Sequence, residues 1–173
     1  MNKRRKQEQG KIVIGMIGVI ILIPIVLIVA AIGWYVYYEA RKAYWDHQVK
    51  QMCEKDGGVH ILERVNISKS DIDLLGRNNG KISVPIKSLA PPNAPVYSES
   101  TTRYLRKSDP EIWRREEVIK RRADQTIVAL WVFYSRVGGD FPTFANPSYF
   151  GCPELNRITS DLEHLFIVEG NTK

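Results

Sequence analysis

The residues of this chain that could do chemistry are few and far apart. Two cysteines (Cys53 and Cys152), three histidines (His47, His60 and His164) and a Gly138-Gly139-Asp140 run are the candidates. A zinc centre is usually announced by a Cys-x-x-Cys pair or a His-Glu-x-x-His helix, and neither is present, so no metal and no cofactor is expected. Nucleophilic hydrolysis would need an elbow such as Gly-x-Ser-x-Gly, also missing. Gly138-Gly139-Asp140-Phe141 shares residues with the Gly-Gly-Asp-Glu-Phe signature of diguanylate cyclases, but the glutamate is absent and Pro142 follows at once. A glycine pair ending a strand accounts for it. No catalytic residue is assigned, and the chemistry does not point to an enzyme.

What the cysteines do depends on where they are, and that is set by the elements around them. From Ile12 to Tyr38 no residue is charged, and IVIGMIGVIILIPIVLIVAAIG is long enough as a helix to cross a bilayer of roughly 30 Å. Trp34, Tyr35, Tyr37 and Tyr38 follow as an aromatic membrane-interface belt. A cleaved signal peptide would have a shorter apolar run ending at small residues, so an uncleaved anchor is expected. Pro24 is tolerated in such a helix. Gly15 and Gly18 do not make the small-xxx-small dimer motif, so a monomeric anchor is the plain reading of the span, and the oligomeric state of the whole stays open.

Lys3, Arg4, Arg5, Lys6 and Lys11 precede the span against Glu8 alone, which places the amino terminus in the cytoplasm and the rest outside it. The tail takes five of the 25 basic residues and one of the 19 acidic ones, leaving 20 against 18 for the remainder. The high isoelectric point is thus a topology signal, and no nucleic-acid partner is expected. Outside the cytoplasm disulfides form and persist, so Cys53 and Cys152 read as a bridge closing a loop of about 100 residues. Two separate buried thiols are the alternative, since the sequence does not bring the two within reach.

The chain of 173 residues thus divides into a basic cytoplasmic tail (1–11), a transmembrane helix with its aromatic interface (12–38), a juxtamembrane helix (39–56) and one α+β domain (57–173). Residues 39–56 lack Gly and Pro and end at Gly57-Gly58, so the membrane helix continues as a stalk. Val59–Ile67 alternates like a strand, and Ser68–Leu75 reads as a short helix with Ser68 and Asp71 at capping-box spacing and Gly76 as its stop. Lys81–Ile86 is a weaker strand, and 90–95 (APPNAP) a stiff loop. Ile112–Arg121 and Thr126–Val137 form a hairpin around residues 122–125. In its second arm Ile127, Ala129, Trp131 and Phe133 share one face and Val128, Leu130, Val132 and Tyr134 the other, so this strand belongs in mid-sheet with cover on both sides, such as the stalk or the short helix. Pro142, Pro147 and Pro153 mark loop, and His164–Val168 a last strand. The class is α+β: one membrane helix continuing as a stalk, then a small antiparallel sheet with few helices.

Cys53 with EKDGGVHILERV after it, RVGGDFP, and FGCPE around Cys152 together resemble an uncharacterised family of small membrane- or lipid-anchored envelope proteins of Gram-negative bacteria. The likeness covers most of the domain. It implies an envelope setting and a paired role for the two cysteines, and carries no activity.

Binding is the remaining function class. Arg103, Arg106, Lys107, Arg114, Arg115, Arg121 and Arg122 make the 103–122 stretch locally basic, a patch for anionic headgroups or an acidic partner, or a solvated strand face that discourages aggregation. Tyr149 and Phe150 are either an exposed docking surface or a plug over Cys152, the latter favoured because aromatics beside a disulfide usually cover it. The expectation is a non-catalytic interaction or assembly module of the bacterial inner membrane, periplasmic and single-pass, with the lipid bilayer and an envelope or membrane protein as partners. The alternative is a periplasmic enzyme or ligand-binding domain whose site leaves no motif. A deep polar pocket near Asp140, Glu154 and the histidines would favour the alternative, and a shallow basic or aromatic surface the module.

Overall fold

The computed structural model describes residues 2–78, 80–141 and 146–168, with side chains from Ile20 onward except at 78, 155, 156 and 159. One helix, α1 (Asn2–Asp56), runs without interruption through the apolar segment and Pro24. Its residues divide between two compact units, 1–41 and 42–173. In the first, every large apolar side chain from Ile20 to Val36 is more than half exposed. That much bare hydrocarbon is unstable in water and normal in lipid, so this is a helix long and apolar enough to cross a membrane. Tyr37 and Tyr38 sit edge to face, 5.4 Å between ring centres.

The second unit opens on the last turns of α1. Its main sheet has the order β1-β7-β6-β5, built from β1 (Gly58–Ile61), β5 (Val96–Arg106), β6 (Glu111–Arg121) and β7 (Ile127–Val137), with β8 (Tyr149–Cys152) sharing the β1 side of β7. Every pairing in it is antiparallel. Two smaller sheets flank it: β2 (Val65–Ile67) parallel to β9 (Phe166–Val168), and β3 (Arg77–Asn78) against β4 (Lys81–Ile82). The helices are α2 (Lys69–Leu75) and α3 (Leu155–Glu163).

The hairpin β6–β7 forms as its composition requires, and β7 lies inside the sheet with both faces apolar. One face, Val132 and Tyr134 with Ile112 of β6, is covered by Val49 and Cys53 of α1, with Trp45 and Met52 alongside. At its other end the sheet is covered by Val65, Ile67, Ile72, Leu75, Leu165 and Phe166, which pack on Val96, Ile119, Val128 and Ala129. Stalk and short helix both pack on the sheet, and the stalk is part of the domain: Val49 is wholly buried.

Helix α2 starts at a complete capping box, Ser68 and Asp71 each accepting the other's backbone N–H, and stops at Gly76 with φ +82°. The carboxyl of Asp71 is held below its ordinary pKa by the Ser68 backbone and hydroxyl donors.

Several elements differ from expectation: β8 and α3 stand where the prolines read as loop. Val59–Ile67 is two strands in different sheets, because residues 62–64 leave the ladder while the Leu62 and Glu63 amides both donate to the Val128 carbonyl. Of Lys81–Ile86 only Lys81 and Ile82 form a strand, and Ile86 makes a lone parallel bridge to Ser98. Strand β5, taken for part of a charged stretch, is an eleven-residue strand whose second half is exposed on both sides.

Candidate binding surface

The cysteines meet. Cys53 on the last turn but one of α1 and Cys152 at the end of β8 are joined, with Cα atoms 6.0 Å apart across 99 residues. A Cβ at Gly57 would lie 2.7 Å from the Cys53 sulfur, so the turn out of α1 has no room for a side chain. The disulfide lies among Val132, Tyr134, Phe150 and Met52, and it clasps α1 to the sheet. Phe150 packs there as the expected plug, while its neighbour Tyr149 is 57% exposed.

Polar contacts reinforce the clasp. Tyr134 donates its hydroxyl to Asp56 Oδ1 at 2.7 Å, and Arg114 reaches Asp56 Oδ2 at 3.2 Å and Glu116 at 2.5 Å. Burial works against the Arg114 charge, but the hydrogen bonds to Glu116, Tyr134 and Asp56 outweigh it and raise its pKa. Burial and the Asp56 carboxylate push the Tyr134 hydroxyl up. Arg136, 1% exposed, donates Nε to Asp46 at 2.5 Å and Nη1 to the Gly138 carbonyl and to Ser148 Oγ.

The Gly-Gly-Asp run is structural. Gly138 and Gly139 both have φ +84°, and the Gly139 amide donates to Asp109 Oδ1 at 2.6 Å. Asp140 accepts from the Ser148 amide at 2.5 Å and faces Lys42 at 4.0 Å. Burial raises its carboxyl, but the Ser148 donors and the nearby Arg136 and Lys42 prevail and hold it low. His47 pairs with Gln51, His60 with the Asp56 carbonyl, and His164 ends α3. Among the described residues no three metal-ligating side chains cluster.

The basic residues of the 103–122 stretch are dispersed. Arg114 faces α1. Arg115 is on the opposite face. Arg121 pairs with Glu63 and Asp124, and Arg122 donates to the Ala94 carbonyl over the Tyr97 ring, both at the β6–β7 turn. Arg106 lies at the other end of the strand, over Trp45 and bonded to the Asp109 and Pro110 carbonyls. Arg103 and Lys107 are exposed and hold no ion pair among the described residues. Strand alternation, invisible in a charge count, separates these residues.

The same alternation assembles something the charge count missed. On the face away from α1, register sets Tyr104 beside Trp113 and Thr102 beside Arg115, with Phe133 next to Arg115 and Trp131 next to Glu117. Trp113 and Trp131 are partly exposed and flank Phe133 at ring distances of 5.7 and 6.5 Å. The Arg115 guanidinium is 5.9 Å from the centre of the Trp131 ring and 3.5 Å from the nearly buried Glu117. Tyr104 is 49% exposed and Tyr149 borders the group across Gly151, where a Cβ would strike both the Phe133 ring and the Tyr149 hydroxyl. Phe133 is 5% exposed yet lies in neither core. The Trp113 and Trp131 rings, Arg115 and Gly151 lie against it. Aromatic rings and an arginine on a shallow sheet face bind other surfaces by stacking and desolvation, the composition that concentrates affinity at protein interfaces.

Two cavities border on the basic residues and the disulfide described above. One of about 580 Å³ is lined by Arg64, Asn66, Asn93, Arg121 and Arg122 among others, and one of about 440 Å³ adjoins the disulfide. Neither gathers Asp140, Glu154 and the histidines. Comparison with protein-family models, with curated proteins and with solved structures finds no match to this chain.

Proposed function

We propose that this chain is a non-catalytic interaction module held at the inner membrane of a Gram-negative bacterium, its tail cytoplasmic and its domain periplasmic, which docks an envelope or membrane protein. The observation that carries the reading is the aromatic-arginine face of Trp113, Trp131, Phe133, Tyr104 and Arg115, which belongs to neither core. A side chain that serves stability alone would be drawn into a core, whereas two tryptophans left partly open on a sheet face offer the anchors a partner needs. The apolar helix and the disulfide support the membrane and oxidising setting. The resemblance to small anchored envelope proteins agrees with both.

A ligand-binding domain is the second reading, favoured by the 580 Å³ cavity. Two of its three arginines are engaged, Arg121 by Glu63 and Asp124 and Arg122 by the Ala94 carbonyl and the Tyr97 ring, while Arg64 holds no ion pair among the described residues. The aromatic face offers more apolar anchorage than this cavity does charge, which keeps the ligand-binding reading second.

The experiment is photo-crosslinking in cells with benzoylphenylalanine at position 113, at 131, and at Lys69 on α2 as control. A discrete adduct from 113 or 131, absent at 69 and lost when Arg115 is changed to Ala, supports the module. Cells giving no adduct at either tryptophan position would sink it.

A further inference from the structure

One edge of the sheet, β5, has a specific chemistry. Strand β5 ends the order β1-β7-β6-β5. At Ser98 its outer side is occupied: the Ser98 amide donates to the Pro85 carbonyl and the Lys87 amide to the Ser98 carbonyl, both at 2.9 Å, around the lone parallel bridge of Ile86. The register with β6 is regular from Val96 to Tyr104. In an antiparallel ladder alternate residues point their backbone groups to opposite sides, so Ser100, Thr102 and Tyr104 turn theirs the same way as Ser98, away from β6. Among the described residues nothing pairs with them, and Ser100 to Leu105 are all exposed.

We propose that this edge receives an extended acidic segment of a partner protein by strand addition, continuing outward from where Pro85–Lys87 leaves off. This rests on the interaction-module reading and names its mode and partner chemistry. A row of free N–H and C=O groups at strand spacing is satisfied by another extended backbone and by little else. The flanking charge selects the side chains. Arg103 lies directly across from Arg114, whose own charge is taken up by Asp56 and Glu116, and Lys107 follows with no carboxylate between Ser100 and Lys107. The adjacent one in sequence, Glu99, is already shared by Lys87 and Lys120 at 2.6 Å each, and Glu116 and Glu117 across the ladder pair with Arg114 and Arg115. An acidic residue beside Arg103 would supply the ion pair that Arg103 lacks among the described residues. On the other face the added strand would lie beside Thr102 and Tyr104, next to Trp113, where apolar side chains extend the aromatic surface. The matching segment therefore alternates acidic and apolar residues. Positive charge on an edge also opposes pairing with a second copy of itself, which favours a foreign acidic strand over a dimer.

The test uses the full chain in detergent micelles and fluorescein-labelled nine-residue peptides read by anisotropy. One alternates Glu and Val, one alternates Lys and Val, and a third is the Glu-Val peptide with alternate backbone amides methylated. The expected result is saturable binding of the Glu-Val peptide, at least tenfold weaker binding of the other two, and loss on Thr102→Pro. That variant removes an amide the β5–β6 ladder does not use, and intact near-ultraviolet dichroism checks its fold. No binding of the Glu-Val peptide at millimolar concentration, or equal binding of the Lys or methylated peptide, overturns the proposal. So does sedimentation of the unliganded chain as a dimer that Thr102→Pro dissociates, which would assign the edge to a second copy. Crosslinking from Trp113 without peptide binding would leave the module reading standing and remove strand addition alone.

Discussion

Arg136 shows how much of this domain depends on single polar residues. Its guanidinium is buried on β7, and its partners are Asp46 of α1, the Gly138 carbonyl and Ser148, so one side chain links helix, strand end and glycine loop. Replacement by Met strands the Asp46 carboxylate against the sheet and should cost about 3 kcal/mol, measured by urea unfolding of the detergent-solubilised chain with tryptophan emission. Asp46→Asn should cost a similar amount, because it leaves the Arg136 guanidinium, only 2% exposed, without its carboxylate. Gly138→Ala is a second sharp case. Its φ of +84° is unfavourable for any L side chain, and the new Cβ would lie 2.5 Å from Asp109 Oδ1, the atom that receives the Gly139 amide. A loss of about 2 kcal/mol is expected in the same assay. Glu99 contributes to the acid response together with Asp71, Asp124 and Asp140, which are also held low. Hydrogen bonds from Lys120 and Lys87 lower the Glu99 carboxyl from 4.5 to about 2. A carboxyl lowered on folding stabilises fully above its unfolded pKa and loses that contribution as pH falls through the folded one. Unfolding midpoints should therefore drop between about pH 5 and pH 2, and Glu99→Gln should flatten that limb by lowering the midpoint at pH 7 while leaving that at pH 2 nearly unchanged.

Among the elements, the end of α1 has the most to lose. It is tied to the sheet by the disulfide, by Asp56 with Arg114 and Tyr134, and by Val49 in the second core. Closing a loop of 99 residues stabilises by roughly 4 kcal/mol on the chain-entropy account, so Cys53→Ala with Cys152→Ala should lower stability by up to that amount. Hydrogen exchange should locate the effect, with amides of residues 49–53 losing protection well before those of β6 and β7. Unchanged exchange there would mean that the polar contacts hold α1 alone. The cysteines, the β6–β7 hairpin and the capped α2 were legible because each carries a local signal: a matched pair, two-residue periodicity, a Ser68-x-x-Asp71 box. Strand β5 was not, because Ser98 to Arg106 is mostly polar and both faces are exposed from Ser100 to Leu105, so no apolar period announces it. Its Val96, Tyr97, Thr101, Thr102 and Tyr104 were the available signal. Helix α3 and β8 were hidden by the prolines around them, which read as loop. The aromatic face was missed for another reason: Trp113, Trp131 and Tyr104 come from three strands and meet only through register.

For the molecule as a whole, the proposed placement turns on one chemical fact, the redox state of a cysteine pair with no other thiol in the chain to confuse it. A cytoplasmic domain would be kept reduced by the thiol pool, whereas one beyond the inner membrane is held oxidised. Acid-trapped cells should therefore give a protein that takes two maleimide mass tags only after reduction. Two tags before reduction would return the domain to the cytoplasm, against the Lys3–Lys11 charge cluster, and would reopen partners of a different kind. An apolar amino-terminal helix can also serve as a cleaved leader, and the same gel separates the cases. An anchor keeps an epitope placed before Lys3 and stays with the membrane through carbonate extraction, while a leader loses both. The two readouts are independent, since an oxidised but released domain would keep its binding face and lose only its tether. Membrane retention together with tagging after reduction alone would establish the geometry on which the docking proposal depends: a clasped domain presenting Trp113, Trp131 and the β5 edge outside the cytoplasm.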